Sequence, residues 1–265
     1  MLNRLFQFLF GHSARSHGQT GYLVEIRLYG PAKKFAKDAV YTIARRFRVS
    51  GNTKKRAVPH VTLYGPFSTN DQARLVSTIK KVCESYSFKG KRDDLVMYRI
   101  AGFKAFHGAS GKVVCLDIIS SKKLYDLTDE LADELNRFCK GQPWDMRREK
   151  LFHSTIAFRD IDRKHDAIMS YLSRIRAPLV DCPLLRLTIL RPGGKILCEY
   201  DLIQNRIMNR DEALDHEIFR KSVLKIKEIL NGQKLELSSE SRIKFSKKRS
   251  KGNVKAQKRR WRRRR

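Results

Sequence analysis

His60-Val61-Thr62-Leu63 and His153-Ser154-Thr155-Ile156 share one pattern: a histidine, a threonine two residues on, then an aliphatic residue. With seven histidines in 265 residues, chance supplies about a quarter of one His-x-Thr. Two occurrences, each inside a run that reads as a strand, point to a repeated unit offset by about 93 residues. Strand alternation puts His60 and Thr62 on one face, with Val61 and Leu63 on the other. It separates His153 and Thr155 from Ser154 and Ile156 in the same way. One such motif would read as a strand histidine in a core. Two, related by an approximate two-fold, bring four polar side chains together across one cleft.

The flanks repeat the same grammar. Tyr22, Val24, Ile26 and Leu28 alternate with Glu25 and Arg27, as in a half-buried strand. Pro31 opens a helical stripe of Phe35, Ala36, Ala39, Val40, Ile43 and Phe47. The first motif strand, 60–67, leads to a helix through Leu75, Ile79 and Val82, with Thr69 and Gln72 at capping-box spacing. Strands near 95–103 and 113–119 precede a helix carrying Leu124, Leu127, Leu131 and Leu135. The second motif strand, 152–158, is followed by a helix for which Asp160 and Asp162 are candidate caps. Pro192-Gly193-Gly194 predicts a hairpin within 184–203. Asn209 and Glu212 open a last amphipathic helix, 209–231. Short strands mixed with amphipathic helices predict an α+β fold.

The chain carries 57 Lys+Arg against 27 Asp+Glu, a formal charge of +30. Residues 241–265 contribute 14 of the basic residues and no acid, so the remainder still carries +16. That excess favours a polyanionic partner, nucleic acid first, with an acidic membrane surface as the competing reading. At 41% hydrophobic the chain can bury a core, which excludes wholesale disorder, and no apolar run is long enough to span a membrane. Five scattered cysteines without a CxxC pair suggest buried reduced thiols and a cytoplasmic protein; no His/Cys cluster suggests a metal, and no cofactor is expected. The expected organisation is a flexible segment 1–20, a bilobal domain 21–204, a helical extension 205–237, and a disordered basic tail 238–265 that binds nucleic acid.

Two opposed imidazoles suit phosphoester chemistry near neutrality, one as base and the other, protonated, as acid. Threonine hydroxyls beside them can donate to non-bridging oxygens, where charge develops. Tyr64 shares the strand parity of His60 and Thr62 and is a candidate base-stacking residue. Lys54, Lys55 and Arg56 precede the first motif, and Arg147, Arg148 and Lys150 precede the second. Both clusters are candidate phosphate contacts at the mouth of a groove, with solvated surface as the plainer reading.

At His60/Thr62 and His153/Thr155 the sequence resembles the 2H phosphoesterase superfamily, and within it the 2′-5′ RNA ligase-like RNA 2′,3′-cyclic phosphodiesterases. The resemblance covers roughly residues 21–204. It implies two pseudo-symmetric lobes of antiparallel sheet with helices around a central groove. It also implies an enzyme that opens RNA 2′,3′-cyclic phosphates to 2′-phosphates, with reversible 2′-5′ ligation in some relatives. Carried over, His60 and His153 are the acid/base pair and Thr62 and Thr155 the phosphate contacts. Phe158 stands where relatives often place an arginine, and Arg159 follows it as a candidate substrate contact. An exonuclease acting on RNA 3′ ends through the same histidines, or a non-catalytic RNA-binding protein on the same scaffold, are the alternatives. A monomer is expected.

Overall fold

The computed structural model describes residues 21–50, 58–108, 111–146 and 150–230. Its five-stranded sheet joins β1 (Tyr22–Arg27), β2 (His60–Phe67), β7 (Arg186–Leu190), β8 (Ile196–Asp201) and β9 (Arg206–Asn209) in the order β2-β1-β7-β8-β9. A four-stranded sheet joins β3 (Met97–Gly108), β4 (Gly111–Ser120), β5 (His153–Phe158) and β6 (Val180–Pro183) in the order β5-β4-β3-β6. All pairings are antiparallel. The two histidine strands, β2 and β5, are each the edge strand of their sheet, and they lie against one another. The fold is α+β with two related sheets, as the sequence predicts.

Helices tie the sheets together. In α1 (Gly30–Phe47) the stripe Ala32, Phe35, Ala36, Ala39, Val40 and Ile43 is buried, and the helix packs on β5 of the other sheet. Its Phe35 ring lies 5.7 Å from that of Phe103 on β3. Conversely, α3 (Lys122–Asn136), which follows β4, reaches β2. One continuous apolar core therefore runs through both lobes, and its packing holds the facing edges of β2 and β5 in register. Each buried leucine there, such as Leu116 or Leu131, would cost about 2–5 kcal/mol on truncation to alanine.

Several local expectations are corrected. The N-cap of α2 (Gln72–Ser85) is Asp71, which accepts from the Arg74 N–H at 2.8 Å; Thr69 Oγ1 instead accepts from the Asp71 N–H. Asp160 and Asp162 do not cap α4 (His165–Leu172). They bind the backbone N–H groups of Ser50 and Lys112, tying loops across the fold. The last helix is two: α5 (Arg210–Leu214) and α6 (His216–Ile229). They part at Asp215, whose extended backbone (ψ 122°) breaks the first while its carboxylate caps the second. The Asn209/Glu212 capping box is present. Strands β6 and β9, four residues each, are too short to show a period in the sequence. The five cysteines are free and buried. The N-terminal segment 1–20 and the tail 238–265 lie outside the described residues.

A second, smaller apolar cluster of Tyr29, Leu95, Leu185, Ile203, Ile226 and Leu230 fixes α6 to the five-stranded sheet. Beneath it Asp201 accepts from the Ile203 and Gln204 N–H groups and from the Ser222 hydroxyl, so the extension is locked by polar as well as apolar contacts. Among the described residues no helix is long and apolar enough to cross a membrane.

Candidate active site

Each motif histidine is held by the same device. The Nδ1 of His60 is 2.8 Å from the carbonyl oxygen of Val58, and the Nδ1 of His153 is 3.0 Å from that of Leu151, two residues back in both cases. The intervening carbonyl is occupied: Pro59 O accepts from the Leu28 N–H at 3.0 Å, and Phe152 O from the Ile118 N–H at 3.3 Å. With Nδ1–H donating to a carbonyl, Nε2 is the nitrogen left for chemistry in both rings. His60 and Thr62 are half-buried while Val61 and Leu63 are buried; His153 and Thr155 are half-buried while Ser154 and Ile156 are buried. The quartet therefore lines the junction of the two sheets, as strand parity predicts.

Parity fails immediately beyond the motifs. On β2 the register passes from Thr62↔Glu25 to Tyr64↔Val24, and on β5 from Thr155↔Cys115 to Ala157↔Val114. Each strand thus carries an extra residue there, a β-bulge at Leu63 and at Ile156, which turns the residues that follow to the opposite face; β2 slips once more between Tyr64 and Phe67. This corrects two expected site residues. Tyr64 is not on the face of His60 but is fully buried, donating to Asn136 Oδ1 at 2.6 Å with its ring 5.0 Å from that of Phe67. Arg159 does not continue the face of His153. It leaves the strand in a left-handed conformation (φ 73°), exposed, with its guanidinium 4.7 Å from the Phe158 ring centroid. Gly65 follows the first bulge at φ 110°, where a Cβ would stand 2.9 Å from the carbonyl oxygen of Tyr22, so glycine is required there.

The basic clusters are only partly visible. Lys54, Lys55 and Arg56, and Arg147 and Arg148, lie outside the described residues. Lys150 is not at a groove mouth. Its side chain is 13% exposed, bonds the Leu63 carbonyl, and pairs with Asp145 Oδ1 at 3.1 Å. Asp145 Oδ2 in turn accepts from the Gly65 N–H at 3.0 Å. The segment leading into the second motif is thereby pinned to the strand of the first. Burial lowers the Lys150 pKa, and the Asp145 carboxylate opposes that shift.

Sequence reasoning did not single out the charges beside the quartet. Glu25, opposite Thr62, is buried, accepts from Arg27 Nε at 2.9 Å and places Oε2 3.9 Å from His60 Nε2. Asp117, opposite His153, lies 3.9 Å from Lys104. Each lobe thus sets a carboxylate on the strand next to its histidine, paired with a cation on the same strand (Arg27) or on the strand beyond (Lys104). The signal for Glu25 was its place as the one acid in the strand, between Val24 and Ile26. Phe106 packs edge-on against His153, with ring centroids 4.9 Å apart. Burial lowers the His153 pKa first, against the hydrogen bond to Leu151, and the positive fields of His60 and Lys150 lower it further. The two imidazoles are therefore unequal: His153 is pushed towards its neutral form, while His60 has a carboxylate at hand.

Paired imidazoles on facing edge strands, each anchored through Nδ1 and each with a threonine two residues on, lie at the junction of a two-sheet α+β scaffold. The family pattern of the 2′-5′ RNA ligase superfamily matches residues 36–195, a stretch that contains both motifs. The chain belongs to that superfamily, and its chemistry is of the 2H phosphoesterase kind. No curated protein matches. Among solved structures, Usb1 of Kluyveromyces marxianus is similar at 11% identity and a TM-score of 0.42, over 69% of this chain and 99% of that one. The same protein with uridine monophosphate gives 13% identity and 0.41, over 69% and 97%. A structure described as a phosphoesterase gives 13% identity and 0.39, over 70% and 99%.

Proposed function

We propose that the chain hydrolyses RNA 2′,3′-cyclic phosphates to 2′-phosphates, with reversible 2′-5′ ligation on the same groups when an RNA 5′-hydroxyl takes the place of water. The observation that carries this reading is the matched anchoring of His60 and His153 through Nδ1 on facing edge strands, which reserves Nε2 of each ring for chemistry. Membership of the 2′-5′ RNA ligase superfamily supports RNA as the substrate class.

His153, pushed towards neutrality by burial, is the base in the hydrolytic direction. Its Nε2 takes a proton from water as the water oxygen bonds to phosphorus. The bond from phosphorus to the ribose O3′ breaks, and the Nε2–H of His60 protonates that oxygen. Glu25, 3.9 Å away, offsets the positive charge that His60 carries before the transfer. The products are a 2′-phosphate and a 3′-hydroxyl, and proton exchange with solvent resets the pair. Thr62 and Thr155 donate to the non-bridging oxygens, whose charge grows in the transition state. The basic tail, 238–265, adds affinity for the RNA backbone without reading its sequence. The protein works as a cytoplasmic monomer.

The test is turnover of a nucleoside 2′,3′-cyclic phosphate by purified protein in EDTA, with end-group analysis of the product. His60→Ala and His153→Ala should each lower the rate by about 10²–10⁴. Wild-type turnover in both variants would overturn the assignment. Shortening of linear RNA 3′ ends without opening of the cyclic phosphate would move the same histidines to exonucleolytic work.

A further inference from the structure

The family match ends at residue 195, yet the polar row that begins at Thr62 continues beyond it. Thr62 pairs with Glu25, Glu25 with Thr188, and Thr188 with Glu199, so four successive strands present these residues on one face of the five-stranded sheet. Where the row reaches Thr188 and Glu199, helices α5 and α6 cover the sheet and leave a cavity of about 210 Å³. Strands spaced about 4.8 Å apart put Thr188 roughly 10 Å from Thr62.

The cavity is a built polar site with apolar walls. Its floor holds Thr188 and Glu199, joined at 2.8 Å, and Arg186, which is 6% exposed. Arg186 donates through Nε to Asp201 at 3.0 Å and through Nη1 to Glu199 at 3.4 Å. Its buried Nη2 has no hydrogen-bond partner among the described residues. The guanidinium also donates through Nη1 to the Ala213 carbonyl at 3.4 Å and lies 5.0 Å from the Phe219 ring centroid, so a fixed positive charge stands at the floor. Burial raises the Glu199 pKa, with Thr188 and Arg186 opposing the shift, so this side chain lies nearer than usual to a donor state. Tyr29, Leu214 and Phe219 supply apolar wall, and Arg27 and Lys33 also line the space. Asp215 is occupied in capping α6 and adds no free acceptor of its own Oδ1.

We propose that this cavity is a subsite for one nucleobase, that of the nucleotide immediately upstream of the reactive RNA end. The inference rests on the reading of RNA as substrate. A base matches the site on two counts: a flat apolar ring for Leu214 and Phe219, and polar edges for a floor of Thr188, Glu199 and Arg186. Its backbone phosphate would then lie on the side of Arg27, between the cavity and His60. The volume is smaller than the 300 Å³ and upward of drug-sized pockets, which suits a single ring system rather than a whole nucleotide. The C-terminal extension thereby becomes part of the substrate site rather than an appendage to it.

The experiment is equilibrium binding, which needs no turnover. The four dinucleotides NpAp, each ending in a plain 3′-phosphate, are compared with adenosine 3′-monophosphate on the full chain. At least one dinucleotide should bind about tenfold tighter, the size expected of one stacked base. Leu214→Glu, at a half-exposed position in the cavity wall, should bring that ratio near one. Leu224→Glu, also exposed but on α6 away from the cavity, should keep it. The proposal is overturned if no dinucleotide gains over the mononucleotide, or if the gain survives Leu214→Glu. Absence of cyclic-phosphate opening alongside an intact ratio effect would sink the catalytic reading and leave the subsite standing.

Discussion

Glu25 sits in the strand beside His60 with its Oε2 3.9 Å from the histidine Nε2, while its Oε1 accepts from Arg27. The carboxylate is buried, so solvent does little to screen it. Among the described residues no comparable acid is paired with His153, whose neighbour Asp117 pairs with Lys104. The groove is therefore symmetric in backbone and asymmetric in charge.

Removing that charge should act on the chemical step. Glu25→Gln keeps the shape and the hydrogen bond to Arg27 but withdraws compensation from a protonated His60. The expected result is a fall in kcat of about tenfold, or 1.4 kcal/mol, with KM for a cyclic mononucleotide little changed. Steady-state kinetics on the cyclic mononucleotide decide it: an equal loss in KM would mean that Glu25 holds substrate rather than the acid.

The pH profile follows from the lowered pKa of His153. As the base it must be neutral, so the acid limb of kcat/KM should fall below the ordinary imidazole value of 6.5. Stability should move the same way. Below 6.5 the unfolded chain binds a proton that the folded His153 refuses, so stability falls as pH drops through that value and levels off below the folded pKa. Urea midpoints between pH 7.5 and 5 would register the slope, and His153→Gln should flatten it. An acid limb above 6.5 would remove His153 from the role of base.

The Asp145–Lys150 pair makes a structural prediction. Asp145→Ala strands a mostly buried ammonium and unpairs the Gly65 N–H, at a cost of about 3 kcal/mol. The double variant Asp145→Ala/Lys150→Met should recover more than half of that loss, because no lone charge remains inside. Urea unfolding of the wild type, the single variant and the double variant measures the coupling. Strict additivity would show that the two side chains do not act as a pair.

Deleting residues 238–265 tests the tail. Opening of a small cyclic nucleotide should persist, while affinity for RNA should fall and its salt dependence become shallower as phosphate contacts are lost. A filter-binding series across 50–200 mM salt reads the slope directly. An unchanged slope would free the tail from RNA binding altogether.

The sequence carried the scaffold further than the site. Alternation within His60–Thr62 and His153–Thr155 placed the quartet on one face because three residues are too few for register to slip. Tyr64 and Arg159 were misplaced because a bulge is a property of the strand pair, and no residue at Leu63 or Ile156 announces it. Lys150 read as surface because its partner Asp145 is close in sequence, whereas the backbone it binds belongs to β2. The cavity under α5 and α6 needed the order β1-β7-β8, which no local pattern encodes.

That strand order also bears on how the protein is made. β1 pairs with β2 nearby, but its other edge waits for β7, where Leu23 meets Leu190. At roughly 5–20 residues per second, a ribosome needs on the order of ten seconds or more to deliver the partner. Throughout that interval the nascent chain exposes an apolar strand edge of the kind that recruits other chains. The sheet built from β3, β4, β5 and β6 is synthesised without interruption and can assemble first. Newly made protein should thus depend on chaperones at its amino-terminal strand, a liability written into the threading of the chain.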